Sequence, residues 1–114
     1  MYAKRISPVW VTESRTVFRT RNEQMKQAIE YVRKNNWKDA YQIWSELKTS
    51  DDYKLAAYAL HNLALYHEFN DNIDMALKYA YEAYEKYNND HTARYINILT
   101  ARQAEINRLN EQMK

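Results

Sequence analysis

Apolar residues along this chain fall into blocks of helical period, separated by short polar hinges. The block from Leu55 to Asn88 is the clearest. It reads as two helices folded back through Asn70-Asp71-Asn72, with Leu60, Leu63, Ala64 and His67, then Ala76, Ala80, Ala83 and Tyr87, on one side. Upstream, Thr20-Arg21-Asn22-Glu23 has the form of a capping box with Thr20 as the cap. A helix should follow to about Lys34, turning Met25, Ala28, Ile29 and Val32 inward. Asn35-Asn36 breaks it, and Asn36 caps a second helix from Trp37 to about Lys48, with Ala40, Tyr41, Ile43, Trp44 and Leu47 inward. Thr49 to Asp52 is a turn that sets two carboxylates at the start of a helix running to about Phe69, and the next helix spans Asn72 to about Tyr87. After Asn88-Asn89-Asp90, with Asp90 as cap, one helix fits from His91 to the end. Its stripe of Tyr95, Leu99, Arg102, Ile106, Leu109 and Met113 steps by fours and threes.

The first nineteen residues do not follow this period. Pro8 ends whatever precedes it, and Val9-Trp10-Val11-Thr12 and Thr16-Val17-Phe18 are β-branched and aromatic with partial alternation. Residues 8–19 therefore read either as an extended arm lying on the helices or as a strand whose sheet partner lies elsewhere. Trp10 and Phe18 are its expected anchors. The expected organisation is an arm over 1–19 and a helical domain over 20–114.

Asn36 to Trp44 laid on Asn72 to Ala80 aligns the cap, the apolar residue after it and the alanine, at an offset of 36 residues. The same offset pairs Tyr31 with His67, Ala28 with Ala64, and Leu60 and Leu63 with Ile96 and Leu99. This pattern resembles the tetratricopeptide repeat, a helical hairpin of about 34 residues with small residues where its helices meet. Leu60, Leu63, Ala64, His67, Ala76, Ala80 and Ala83 stand at its pattern positions in one unit, and Ala28, Tyr31, Ala40 and Trp44 in the other. Gln24 and Gln27 replace large apolar residues, and no proline closes either unit. The resemblance implies an all-α solenoid of about two repeats, 20–49 and 51–88, with a capping helix over 91–113; a plain five-helix bundle is the alternative. More loosely, Tyr2 to Pro8 with Trp10, Arg15-Thr16, the helical pair and Thr92 to Asn97 resemble the C-terminal part of uncharacterised bacterial envelope lipoproteins. That implies the cell envelope, through an anchor upstream of this chain, with the cytoplasm as the alternative.

Composition narrows the chemistry. Glycine and cysteine are absent from the 114 residues and proline occurs once, which removes glycine-dependent phosphate loops, disulfides and thiolate sites. No apolar run approaches the roughly 20 residues needed to cross a bilayer, so membrane insertion of this segment is not expected. Residues 1–36 carry eight Lys and Arg against three Asp and Glu, residues 37–90 carry five against ten, and residues 91–114 carry four against two. This division reads as complementary faces or a charged protein partner rather than nucleic-acid binding.

No catalytic constellation stands out. His61 and His67 are six residues apart and do not form the i,i+4 pair of a helical zinc site; His67 reads as a half-buried, hydrogen-bonded packing residue and His91 as exposed. The acidic pairs Asp51-Asp52 and Asp71/Asp74 lie at helix starts, where they complement the dipole. No enzyme activity, metal or cofactor is expected. The resemblance instead places a partner-binding groove on the first helix of each unit, where Lys26, Arg33, Tyr58, His61, Asn62, Leu65, Arg94 and Asn97 would receive a protein or peptide. Asn62 and Arg94 stand where some tetratricopeptide domains hold a peptide's backbone or terminal carboxylate, but Ile29 occupies a position where that carboxylate clamp needs an asparagine. The second expectation is a structural domain that docks on an upstream portion or pairs with another copy through the arm and the final helix, leaving a homodimer open.

Overall fold

A computed structural model describes residues 17–112, in which five helices follow one another: α1 (Glu23–Arg33), α2 (Trp37–Leu47), α3 (Tyr53–Phe69), α4 (Ile73–Lys86) and α5 (Asp90–Gln112). No strand occurs among the described residues. Val17 to Thr20 has no regular secondary structure, and the rest of the expected arm lies outside the described residues, as does Met113 of the α5 stripe.

The hinges explain where the helices stop. Asn35 and Asp71, 36 positions apart, both adopt φ of 62°, the left-handed conformation that Asn and Asp tolerate best among residues with a Cβ. Around Asn35, the Asn36 amide donates to the Tyr31 carbonyl at 2.7 Å and the Asn35 amide to Val32 at 2.9 Å. Around Asp71, the Asn72 amide donates to His67 at 2.8 Å and the Asp71 amide to Glu68 at 2.9 Å. Each set ends its helix with a left-handed residue and a six-to-one bond that absorbs an orphan carbonyl. Asn36 and Asn72 then cap α2 and α4, their side chains accepting from the Asp39 and Met75 amides. The same turn is built twice.

Two expected caps are displaced. Thr20 does not cap α1: its hydroxyl accepts from the Asn22 amide at 3.0 Å, and Asn22 accepts from Met25 at 3.0 Å, so the helix begins two residues later than the capping-box reading had it. Asp90 is already helical, and Asn89 accepts from the His91 and Thr92 amides at 2.7 and 3.4 Å. In each case an asparagine takes over, two residues nearer the first core residue at α1 and one residue farther from it at α5, because its amide oxygen serves the first turn as well as a hydroxyl or carboxylate does.

Each helix packs chiefly on the next in the chain. Met25, Ala28, Ile29 and Val32 of α1 and Ala40, Trp44 and Leu47 of α2 are buried as their spacing predicts, while Tyr41 and Ile43 are half-buried. Helix α3 differs. Eleven of its seventeen residues are buried, and it contributes to both core clusters: Ala59, Leu60 and Leu63 pack with α1 and α2, and Ala64, Leu65 and Phe69 with α4 and α5. A helix enclosed on several sides loses the one-sided polarity of a surface helix. The approach of α3 to α4 is made by small residues, with Ala64, Ala76 and Ala80 all at 0% exposure. Trp37 fills the wedge beside them, its ring edge-on to Trp44 and Phe69 at 6.1 and 5.1 Å. Trp37 Nε1 and Trp44 Nε1 are buried without a hydrogen-bond partner.

Helix α5 is packed only over its first half. Thr92, Tyr95, Ile96 and Leu99 are buried, whereas Ile106 and Leu109 are 37% and 45% exposed, so the stripe continues past its packing surface. No helix among the described residues is long and apolar enough to cross a membrane. The α3–α4 contact supplies a direct test. Ala76→Leu should cost about 1–3 kcal/mol of stability through overpacking, read as a lower urea midpoint at unchanged slope. An unchanged midpoint would mean that the helices do not meet as closely as Ala76 requires.

Candidate functional site

The eight residues expected to line a groove separate into exposed and covered sets. Lys26, Arg33, Arg94 and Asn97 are exposed. Lys26 pairs with Glu23 at 3.4 Å and Arg33 with Glu30 at 2.7 Å along α1, both solvent-screened pairs of small energetic weight. Arg94 Nη2 donates to His91 Nδ1 at 3.1 Å, which leaves the other ring nitrogen of a neutral His91 to carry the proton. Tyr58 is half-buried, and His61, Asn62 and Leu65 are buried, at 1%, 0% and 0% exposure. The outward line of α3 that the pattern left open is therefore closed over.

The cover includes the chain's own Val17 to Thr20 segment. Asn62 Oδ1 accepts from the Phe18 amide at 2.9 Å, and Asn62 Nδ2 donates to the Phe18 carbonyl at 3.1 Å. A residue whose N–H and C=O point the same way is extended, and the amide side chain meets it as the edge of a neighbouring strand would. The Phe18 ring stacks on Tyr58 at 4.6 Å and 27°, and meets His61 edge-on at 4.6 Å and His91 at 6.0 Å. Three side chains from α3 and one from α5 thus hold one residue, by main chain and by ring. Burial and the neighbouring Tyr87 raise the Tyr58 phenol above its ordinary value, so it presents a neutral hydroxyl. His61 Nδ1 lies 3.0 Å from Thr92 Oγ1, which fixes the ring from behind. Val17 packs against both core clusters, and Arg19 and Thr20 lead on to α1, where with Gln27, Ile29 and Arg33 they line an open cleft of about 650 Å³.

Glu68, which the sequence reading did not single out, is the second polar feature. It is 1% exposed and receives the Tyr95 hydroxyl at 2.8 Å and Arg102 Nη1 at 2.6 Å. Glu68 is the one carboxylate within α3, and a lone acid near the end of an otherwise apolar buried helix is the signal that would have found it. The pair ties α3 to α5 and offers no reactive group to solvent. His67 lies on the other side of α3, stacked on Tyr79 at 5.3 Å with Tyr41 and Tyr66 edge-on. It is half-buried as expected, but its Nε2 is buried without a hydrogen-bond partner, and burial lowers its pKa below the usual histidine value. No group of three His, Cys, Asp or Glu side chains suited to a metal gathers among the described residues.

The arrangement combines a side-chain clamp on main chain, an aromatic cup and a flanking cleft. The chain belongs to a known sequence family. Residues 26–101, from α1 to the packed half of α5, match the family described as Domain of unknown function (DUF6340). No curated protein and no solved structure matches the chain.

Two predictions follow from the polar residues of α3. Arg102→Met takes the Arg102 guanidinium away from the buried Glu68 carboxylate and should cost about 2–3 kcal/mol, less than a fully buried pair because Arg102 is partly exposed. Adding Glu68→Gln should recover part of that loss in urea unfolding; a double variant no more stable than Arg102→Met would refute the pairing as the cause. At His67 the unfolded chain takes up a proton near pH 6.5 and the folded chain only below it. Stability from the neutral ring is therefore complete above about pH 6.5 and is lost as pH falls through the lowered folded value. Relative to His67→Phe, the natural chain should lose thermal stability between pH 7.5 and 5, and a pH-independent gap would refute this.

Proposed function

We propose that this is a non-catalytic, tetratricopeptide-like domain that binds a protein or peptide segment along the face formed by α1, α3 and α5. The observation that carries the reading is the Asn62 amide, which engages both main-chain groups of an extended residue at 2.9 and 3.1 Å. A side chain that pairs with main chain reads peptide irrespective of sequence, while the rings around it select what the peptide carries. The repeat reading is supported by the turn built twice at an offset of 36 residues and by the alanines at the α3–α4 approach. On that reading α5 begins a third unit and Lys26, Arg33, Arg94 and Asn97 are the open part of the receiving face. The resemblance to bacterial envelope lipoproteins supports a place at the cell envelope, anchored through an upstream segment.

A second reading has its own support. The occupant of the clamp is this chain's Phe18, so the domain also serves to fasten what precedes it in the chain onto the helices.

Reversing the exposed charges separates these readings. Lys26→Glu, Arg33→Glu and Arg94→Glu together should leave helicity nearly unchanged, because all three side chains are exposed. In-cell cross-linking should then recover far less of the proteins joined to the natural domain. An unchanged set of cross-linked proteins would sink the binding face and leave the fastening role.

A further inference from the structure

We infer that Tyr58, His61, Asn62 and His91 form a subsite for an aromatic residue in an extended peptide, and that Phe18 fills it in cis as a built-in competitor. The inference rests on the binding-domain reading and adds to it the chemistry of the ligand and the means by which the site is kept closed.

Two features set Phe18 apart from an ordinary core residue. It is half-buried and belongs to neither buried cluster, although it touches four side chains. Its hold is divided between ring and main chain. The ring contacts to Tyr58, His61 and His91 add to area burial, and the two Asn62 hydrogen bonds hold the main chain. Every one of these interactions is available to any aromatic residue arriving in an extended stretch, because none involves a group peculiar to residue 18.

Room exists for the rest of such a stretch. The α1 cleft of about 650 Å³ opens beside Arg19 and Thr20, and a smaller one of about 250 Å³ lies between Thr20 to Asn22 and the start of α3. The segment holding Phe18 has no regular secondary structure and joins α1 only a few residues on, so its release breaks no helical hydrogen bond and withdraws only Val17 from the edge of the two clusters. A tether that short gives an effective concentration in the millimolar range. It therefore excludes weak ligands and yields to a partner that adds contacts along α1 and α5. The occupant in trans is thus a partner segment with Phe, Tyr or Trp in extended main chain.

The test uses a fluorescein-labelled peptide copying residues 15–21, and the same peptide with alanine at the Phe18 position. Polarisation should show the peptide binding the Phe18→Ala chain about tenfold or more tighter than the natural chain, where the cis segment competes. The alanine peptide should not bind, and adding Asn62→Ala to Phe18→Ala should remove binding. Because the chain has two phenylalanines, Phe18 and Phe69, 4-fluorophenylalanine labelling gives two ¹⁹F resonances in the natural protein. Millimolar unlabelled peptide should move the Phe18 signal towards the free position and leave Phe69 in place; this readout decides the matter if Phe18→Ala does not fold. No peptide binding by folded Phe18→Ala, or an unmoved Phe18 resonance, overturns the subsite. Retained cross-linking to partners in that case leaves the wider binding face standing. A dimer that forms only when Phe18 is present would assign the site to segment exchange between copies and likewise overturns the proposal.

Discussion

Everything in this domain depends on the enclosure of α3. A seventeen-residue helix with eleven buried positions cannot rest on one neighbour, because its apolar surface runs most of the way round. Helices α1 and α2 cover one side of it, α4 and α5 another, and the Val17 to Thr20 segment lies across Tyr58, His61 and Asn62. The two core clusters meet along α3, with Val17, Trp37 and Tyr79 packed against both. The alanines that let α4 approach it are therefore architectural.

Enclosure also sets the behaviour of the polar residues on α3. A buried amide or carboxylate is costly unless it is bonded, and each one here reaches a different part of the molecule. Asn62 reaches the main chain of Phe18, His61 reaches Thr92, and Glu68 reaches Tyr95 and Arg102. These bonds fix which way the helix is turned and where α5 and the leading segment must lie. His67 is the exception: its unpartnered Nε2 is accommodated by keeping the ring neutral among tyrosines. The core residues and the polar contacts of Asn62, His61 and Glu68 thus share one helix.

The helices were legible in the sequence because their signals are local. Period marked Met25, Ala28, Ile29 and Val32 as inward, and Asn35-Asn36 and Asn70-Asp71-Asn72 marked the hinges, while the left-handed conformation of Asn35 and Asp71 was seen only in the structure. Caps were less certain where several candidates stood together. Thr20 and Asp90 each lost to a neighbouring asparagine, on the helix side at α1 and on the outer side at α5, a choice between nearly equal oxygens that chain geometry makes. The candidate site was legible by residue and not by condition. Tyr58, His61 and Asn62 were marked, but a face pattern has no means of reporting that a segment 44 residues away lies on it.

The sequence by itself determined the helices of the described residues, their hinges and most inward faces, since helical period and hinge chemistry act within a few residues. Only the tertiary structure decided that α3 is enclosed, that Glu68 pairs with Arg102, and that Phe18 occupies the Asn62 clamp. Those outcomes depend on groups brought together from distant parts of the chain, where the cost of a buried polar atom or an uncovered apolar surface is settled by whatever the fold places beside it.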